Sequence, residues 1–239
     1  MMSTKTSAIL FDSSDRPLDQ SLGDYVHQEL KRFILDGKYR AGERIRESDI
    51  TSELKVSRTP VREAFRRLQS EGLLKFEAQR GVVVAELDRQ EVAELYAMRQ
   101  HMEGFAARCA AQHATESEIE AMEYILAQTK IFDDKIHQFN QINWELHYAI
   151  YTAAHNRFLI RAFEALSDSM SLLQGAKYIP AGRPTVLHEE HGRIVEAIKQ
   201  RDPDAADKAA QHHVRNAFLV HLEVAFHERT GQQVTKATP

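Results

Sequence analysis

The stretch Val56-Ser57-Arg58-Thr59-Pro60-Val61-Arg62-Glu63-Ala64-Phe65-Arg66-Arg67-Leu68 has few ways to fold. Ser57 is placed to cap a helix, its hydroxyl taking an orphan backbone N–H of the first turn. Pro60 falls within that turn, where a missing N–H is tolerated and a fixed φ suits a helix start. Val61, Phe65 and Leu68 then recur at helical spacing and make one apolar face. Arg58, Thr59, Arg62 and Arg66 share the adjoining face. Such a helix suits the DNA major groove, where Arg bonds a guanine edge and Ser or Thr holds phosphate. A solvated surface helix would show the same residues, so the flanks decide.

Upstream, an apolar stripe of Leu22, Val26, Leu30, Phe33 and Ile34 predicts a helix over about 22–35, stopped by Asp36-Gly37. Glu47 to Leu54 reads as a second, short helix with Ile50 and Leu54 inward. Downstream, Leu73–Glu77 and Val82–Ala85 are β-prone runs around the loop Ala78-Gln79-Arg80-Gly81, a hairpin pattern. Three helices followed by a hairpin make a winged helix-turn-helix, with Arg80-Gly81 as the tip that enters a minor groove. The segment 21–85 carries 13 Lys and Arg against 10 Asp and Glu, whereas residues 86–239 carry 16 against 22. The overall charge of −4 therefore hides a mildly basic front on an acidic body, a distribution that suits nucleic-acid binding by the front alone.

The run Gly42-Glu43-Arg44-Ile45-Arg46-Glu47, then Ser57-Arg58-Thr59-Pro60-Val61-Arg62-Glu63-Ala64, Leu68, Glu71-Gly72-Leu73 and Arg80-Gly81 closely resembles the DNA-binding domain of GntR-family bacterial transcription regulators. The resemblance implies operator contacts at Ser57, Arg58, Thr59, Arg62 and Gly81. Ser48 stands where the fatty-acid-responsive member of that family has an operator-contacting Arg, which implies a different operator sequence. Arg46, close by, is expected to add a phosphate contact.

From residue 87 the pattern is helical throughout, with six helices predicted over about 89–112, 116–130, 133–155, 157–176, 185–200 and 203–229. Thr115-Glu116-Ser117-Glu118 is a capping box, and Pro180 to Pro184 is the clear loop. The block is expected to close as an antiparallel bundle, giving a mainly α chain. The expected organisation is a flexible tail over 1–20, a winged helix-turn-helix over 21–86, an all-helical effector-binding and dimerisation domain over 87–230, and a tail over 231–239. No apolar run approaches the roughly 20 residues of a membrane span. Residues 1–20 lack the apolar core of a signal peptide, and the lone Cys109 excludes an intramolecular disulfide, so a cytoplasmic location is expected.

A helical wheel places several polar side chains on apolar stripes of this block. Asn143 and His147 flank Ile142, Leu146 and Ile150; His191 is centred among Leu187, Ile194, Val195 and Ile198; His213 is centred among Ala206, Ala209, Ala210, Ala217, Val220 and Val224. Arg99 points inward among Val92, Leu95, Met102 and Ala106. Buried imidazoles need partners, and a single core histidine finds one readily in the protein. Three on three helices, with an amide one turn from the first, are better served by a shared divalent ion. Three imidazoles and an oxygen suit Zn, Ni, Co, Fe or Mn.

The helical block looks like the effector domain of the FadR branch of that family, the FCD type, in its VanR-like form of six helices. The resemblance implies a metal held by Asn143, His147, His191 and His213, with Asn143 replacing the usual Asp, and a small carboxylate effector held by the metal and Arg99. A neutral amide leaves the centre more positive, and a metal beside a guanidinium favours a carboxylate electrostatically. The leading expectation is a homodimeric, effector-released repressor on operator DNA, and not an enzyme. Two other readings use the same residues: a sensor for which the metal is the signal, and a metalloenzyme. Against the enzyme, no Asp or Glu in the sequence has a clear claim to be a base near the ligands.

Overall fold

The computed structural model describes residues 20–129, 136–173 and 183–230, without the side chains of 136–140 and 228–230. Residues 1–19 and 231–239 of the expected tails and most of the Pro180–Pro184 loop lie outside the described residues. The chain divides between Leu87 and Asp88 into two compact units, the short stretch from Asp168 being grouped with the first.

In the first unit, α1 (Leu22–Leu35), α2 (Glu47–Leu54) and α3 (Arg58–Ser70) precede β1 (Leu74–Glu77) and β2 (Gly81–Val84). Ser21 caps α1 by accepting from the Asp24 N–H. Helices α1 and α2 each pack on α3, and Val26, Leu30, Ile50, Leu54, Val61, Ala64 and Leu68 are fully buried between them. The strands pair antiparallel with Leu74 opposite Val84 and Glu77 opposite Gly81, and an isolated bridge joins Arg44 to Val83. Gly81 opens β2 at a φ of 81°, a left-handed conformation that L side chains rarely adopt.

The second unit contains α4 (Arg89–His113), α5 (Glu116–Gln128), α6 (Ile136–Ala153), α7 (Arg157–Ser171), α8 (Arg183–Lys199) and α9 (Pro203–Thr230). Both α4 and α5 open on full capping boxes, Asp88 with Glu91 and Thr115 with Glu118. Helix α4 packs along α9, and α8 packs on α9 and α4. Helix α4 is rich in alanine on its inward side, with Ala106, Ala107, Ala110 and Ala111 buried. Small side chains let helices approach closely, which brings the inward polar residues of α4, α6, α8 and α9 into one interior. The expected fold class, a winged helix-turn-helix followed by a helical bundle, is the observed one.

Candidate functional site

The first unit presents its cations around the start of α3. A cleft of about 400 Å³ is lined by Arg44, Arg46, Glu47, Ser48, Arg58 and Gly81, among others. Ser57, Arg58, Thr59, Arg62 and Arg66 are all exposed along α3. Ser57 occupies the cap position, but its hydroxyl makes no cap bond. Of the two helical N–H groups an N-cap side chain can take, the third is absent because Pro60 stands there, and the bond to the second, on Thr59, is not made. Arg62 is held by Glu47, its Nε 3.0 Å from both carboxylate oxygens. Ser48 donates to Asp49 at 3.1 Å. Arg80 turns back from the hairpin tip, donating to the Gly42 carbonyl at 2.6 Å and to Glu77 at 3.2 Å. The guanidinium lying against Gly81 belongs to Arg44, a residue that sequence reasoning passed over although it sits in the motif run.

In the second unit His147, His191 and His213 are buried, and one ring nitrogen of each lies within 4.8 Å of the others. Their ring centroids stand 4.5 to 5.1 Å apart. Asn143 lies one turn before His147 on α6 and is half-buried. His191 is 1 % exposed, and neither of its ring nitrogens has a hydrogen-bond partner. Burial, reinforced by the neighbouring imidazoles of His213 and His147, holds its pKa well below the ordinary 6.5. Burial also lowers His213, although a bond to Glu190 opposes this. His188 bonds Thr129 through Nδ1 at 2.6 Å, and Trp144 stacks on Tyr148 at the surface.

Two carboxylates complete the cluster, and the sequence reading missed both. Glu103 on α4 sits 3.0 Å from His147 Nδ1, and Glu190 on α8 sits 2.9 Å from His213 Nδ1. Acidic groups thus stand beside the imidazoles, although no Asp or Glu had a clear claim in the sequence to be a base there. Arg99 is buried as expected, but its guanidinium is engaged with Glu103 four residues on, at 2.8 and 2.9 Å. Burial works against ionisation of Glu103; the charge of Arg99 and the hydrogen bond to His147 overcome it and hold the carboxyl well below its ordinary range. Burial raises Glu190 too, yet hydrogen bonds from His213, Arg183 and Asn216 bring it down to about 2. Two signals were in the sequence: Glu103 follows Arg99 by one helical turn, and Glu190 immediately precedes His191.

A winged helix bearing guanidiniums, followed by a helical unit with a buried imidazole cluster, fits a DNA-binding transcription regulator with a second, helical domain. Comparison with known proteins makes the family explicit. Residues 22–84 match the family "Bacterial regulatory proteins, gntR family", and residues 94–216 match the "FCD domain" family. An uncharacterized HTH-type transcriptional regulator, YdhC of Bacillus subtilis, is 30 % identical over 90 % of this chain and 97 % of its own length. The probable D-xylose utilization operon transcriptional repressor of Paenarthrobacter nicotinovorans is 34 % identical over 84 % of this chain and 89 % of its own. Among solved structures, E. coli McbR/YncC shares the fold with a TM-score of 0.73 at 21 % identity, over 85 % of this chain and 98 % of that one. The chain belongs to the GntR family of bacterial transcription regulators, with an FCD domain as its helical unit. It is a regulator and not an enzyme. Among the described residues no helix is long and apolar enough to cross a membrane.

Proposed function

We propose that this regulator is a homodimeric, ligand-responsive repressor acting in the cytoplasm, released from its operator by a small carboxylate bound at a metal in the helical unit. The observation that carries the metal is His191, whose two buried ring nitrogens lack any partner beside two further imidazoles. A buried polar group left unpaired is costly, and an ion shared by the three rings removes that cost. His147, His191 and His213 would hold it, with the Asn143 carbonyl as an oxygen donor. The donor set suits Zn first, with Ni, Co, Fe or Mn as alternatives. When bound, the metal supplies a Lewis-acidic position for a carboxylate oxygen, and an effector carboxylate would compete with Glu103 for Arg99.

On the DNA side Arg58, Arg62 and Arg66, exposed on α3, would address bases and phosphates, Ser57 and Thr59 would hold phosphate, and Arg46 with Ser48 would flank them. Gly81, with Arg80 behind it, forms the tip of the wing. Two chains pairing through their helical units would present two such surfaces to a pseudo-palindromic operator. The test is operator binding by the full chain on the DNA upstream of its own gene, titrated with small carboxylates. Arg58→Ala or Arg62→Ala should weaken binding by about 1–3 kcal/mol if the residue reads a base. Loss of operator affinity with a carboxylate supports the reading; affinity indifferent to every carboxylate and to both substitutions sinks it.

One observation favours a second reading, in which the metal alone is the signal: Arg99 already has a carboxylate partner inside the protein. Operator binding that follows added metal, with no organic ligand present, would select it.

A further inference from the structure

Around the imidazole cluster the same three-part chain of side chains occurs twice, built from different helices. In the first, Arg99 of α4 donates through Nε and Nη2 to one oxygen of Glu103, at 2.9 and 2.8 Å. The other oxygen of Glu103 is 3.0 Å from His147 Nδ1 on α6. In the second, Arg183 of α8 donates through Nη1 and Nη2 to the two oxygens of Glu190, at 3.0 and 3.1 Å. One of these oxygens is also 2.9 Å from His213 Nδ1 on α9, and the other accepts from Asn216 at 2.8 Å. All six members of the two chains are buried.

A carboxylate facing a guanidinium at hydrogen-bond distance is ionised and can only accept. The ring nitrogen that meets its free lone pair must therefore carry a proton. That requirement puts the proton of the neutral ring on Nδ1 in both His147 and His213, and in that tautomer Nε2 keeps its lone pair. Each arginine keeps its glutamate ionised in the interior, where an unpaired carboxylate would be expensive. His191 has no such partner, so nothing in the described structure fixes its tautomer.

We infer that Glu103 and Glu190 are positioning residues that set the tautomer and orientation of His147 and His213, held in turn by Arg99 and Arg183. Both rings are thereby prepared as Nε2 donors before any ion arrives, and His191 alone is free to adapt. Carboxylate-backed imidazoles are stronger donors and less free to rotate. On this account Arg99 and Arg183 act through the glutamates. The metal-donor part rests on the proposed metal site, whereas the tautomers are a property of the protein alone.

The experiment records long-range ¹H–¹⁵N spectra of histidine-labelled full chain, freed of metal by chelator, at about pH 8, above the ordinary imidazole range. His147→Ala and His213→Ala assign the two rings. The expected result is the Nδ1–H form for both, with Glu103→Gln disturbing the His147 signals and Glu190→Gln those of His213. A wild-type ring in the Nε2–H form at either position overturns the inference, and this needs no variant to fold. Zn²⁺ affinity, measured by competition with a chelating dye, should fall about 10–100-fold in each Gln variant, with Glu103→Asp recovering part of the loss. Unchanged Zn²⁺ affinity in both Gln variants would overturn the donor-tuning claim. Nδ1–H rings in a wild-type chain that takes up no Zn²⁺ would uphold the positioning and defeat the metal reading instead.

Discussion

Glu103→Ala should cost the second unit heavily, because it removes a buried carboxylate that meets Arg99, His147 and the Tyr151 hydroxyl at once. Arg99 is 7 % exposed and loses its ion-pair partner, and His147 loses the acceptor at its Nδ1. Breaking a buried pair from one side typically costs about 3–5 kcal/mol, because a charge is left without compensation. The double substitution Arg99→Met with Glu103→Leu removes that charge and leaves only neutral groups to find new partners, the His147 N–H with Tyr151 Oη 3.5 Å away and the Tyr96 and Tyr151 hydroxyls, at about 1–3 kcal/mol for each that finds none. The double variant should therefore be the more stable of the two. Urea denaturation of the metal-free protein measures this, with far-UV circular dichroism for both units. Fluorescence of Trp144, the one tryptophan of the chain, reports the helical unit alone. A loss below about 1 kcal/mol for Glu103→Ala, or a double variant less stable than the single, would refute the claim that the pair is a buried, mutually dependent unit.

Three further outcomes are expected. The urea midpoint of the metal-free helical unit should fall on acidification: His191 and His213 are held below the ordinary 6.5, so the unfolded chain takes up their protons first and stability present above about pH 6.5 is lost below it. Glu103 and Glu190, held below 4.5, extend the loss below about pH 4.5, and a midpoint that is flat or rises from neutrality downward would contradict both shifts. Arg44→Ala should lower the salt dependence of operator binding by about 0.9 in slope for each chain, as a lost phosphate contact does. Arg80→Ala should weaken binding with less change in slope, because its guanidinium is spent on the Gly42 carbonyl; equal slope changes would show that both contact phosphate. Gly81→Ala should destabilise the first unit by about 1–2 kcal/mol through its φ of 81° rather than through crowding, since the nearest atoms an added Cβ would meet are 3.8 Å away; an unchanged denaturation midpoint would count against that strain.

Helix by helix, the fold was legible because each period was clear and most ends were signalled. The capping box at Thr115, the stop at Asp36-Gly37 and the apolar stripe of α3 are local features that packing had no reason to override. The three histidines were legible for the same reason, each falling on an apolar stripe where a polar ring is out of place. What surrounded them was not. Glu103 and Glu190 look like ordinary helical carboxylates until the close packing of α4, α6, α8 and α9 brings each against an imidazole of another helix. Periodicity within one helix carries no information about which residue faces it from the next. The Ser57 cap differs in kind: the residue sits at the cap position as its type prefers, but Pro60 removes one of the two N–H groups its hydroxyl could take and the other is not bonded. Arg80 shows the limit at the wing, where a side chain at a loop tip is free to fold back on a neighbouring carbonyl.

The most direct test of the account is the metal content of the full chain purified without a histidine tag, beside that of His213→Ala. The account predicts about one divalent transition metal per chain in the wild type, and its loss in the variant with the fold retained by circular dichroism. Wild-type protein that carries no metal and takes none up from excess Zn²⁺ or Ni²⁺ would contradict it, and would leave both ring nitrogens of His191 without a partner in the core.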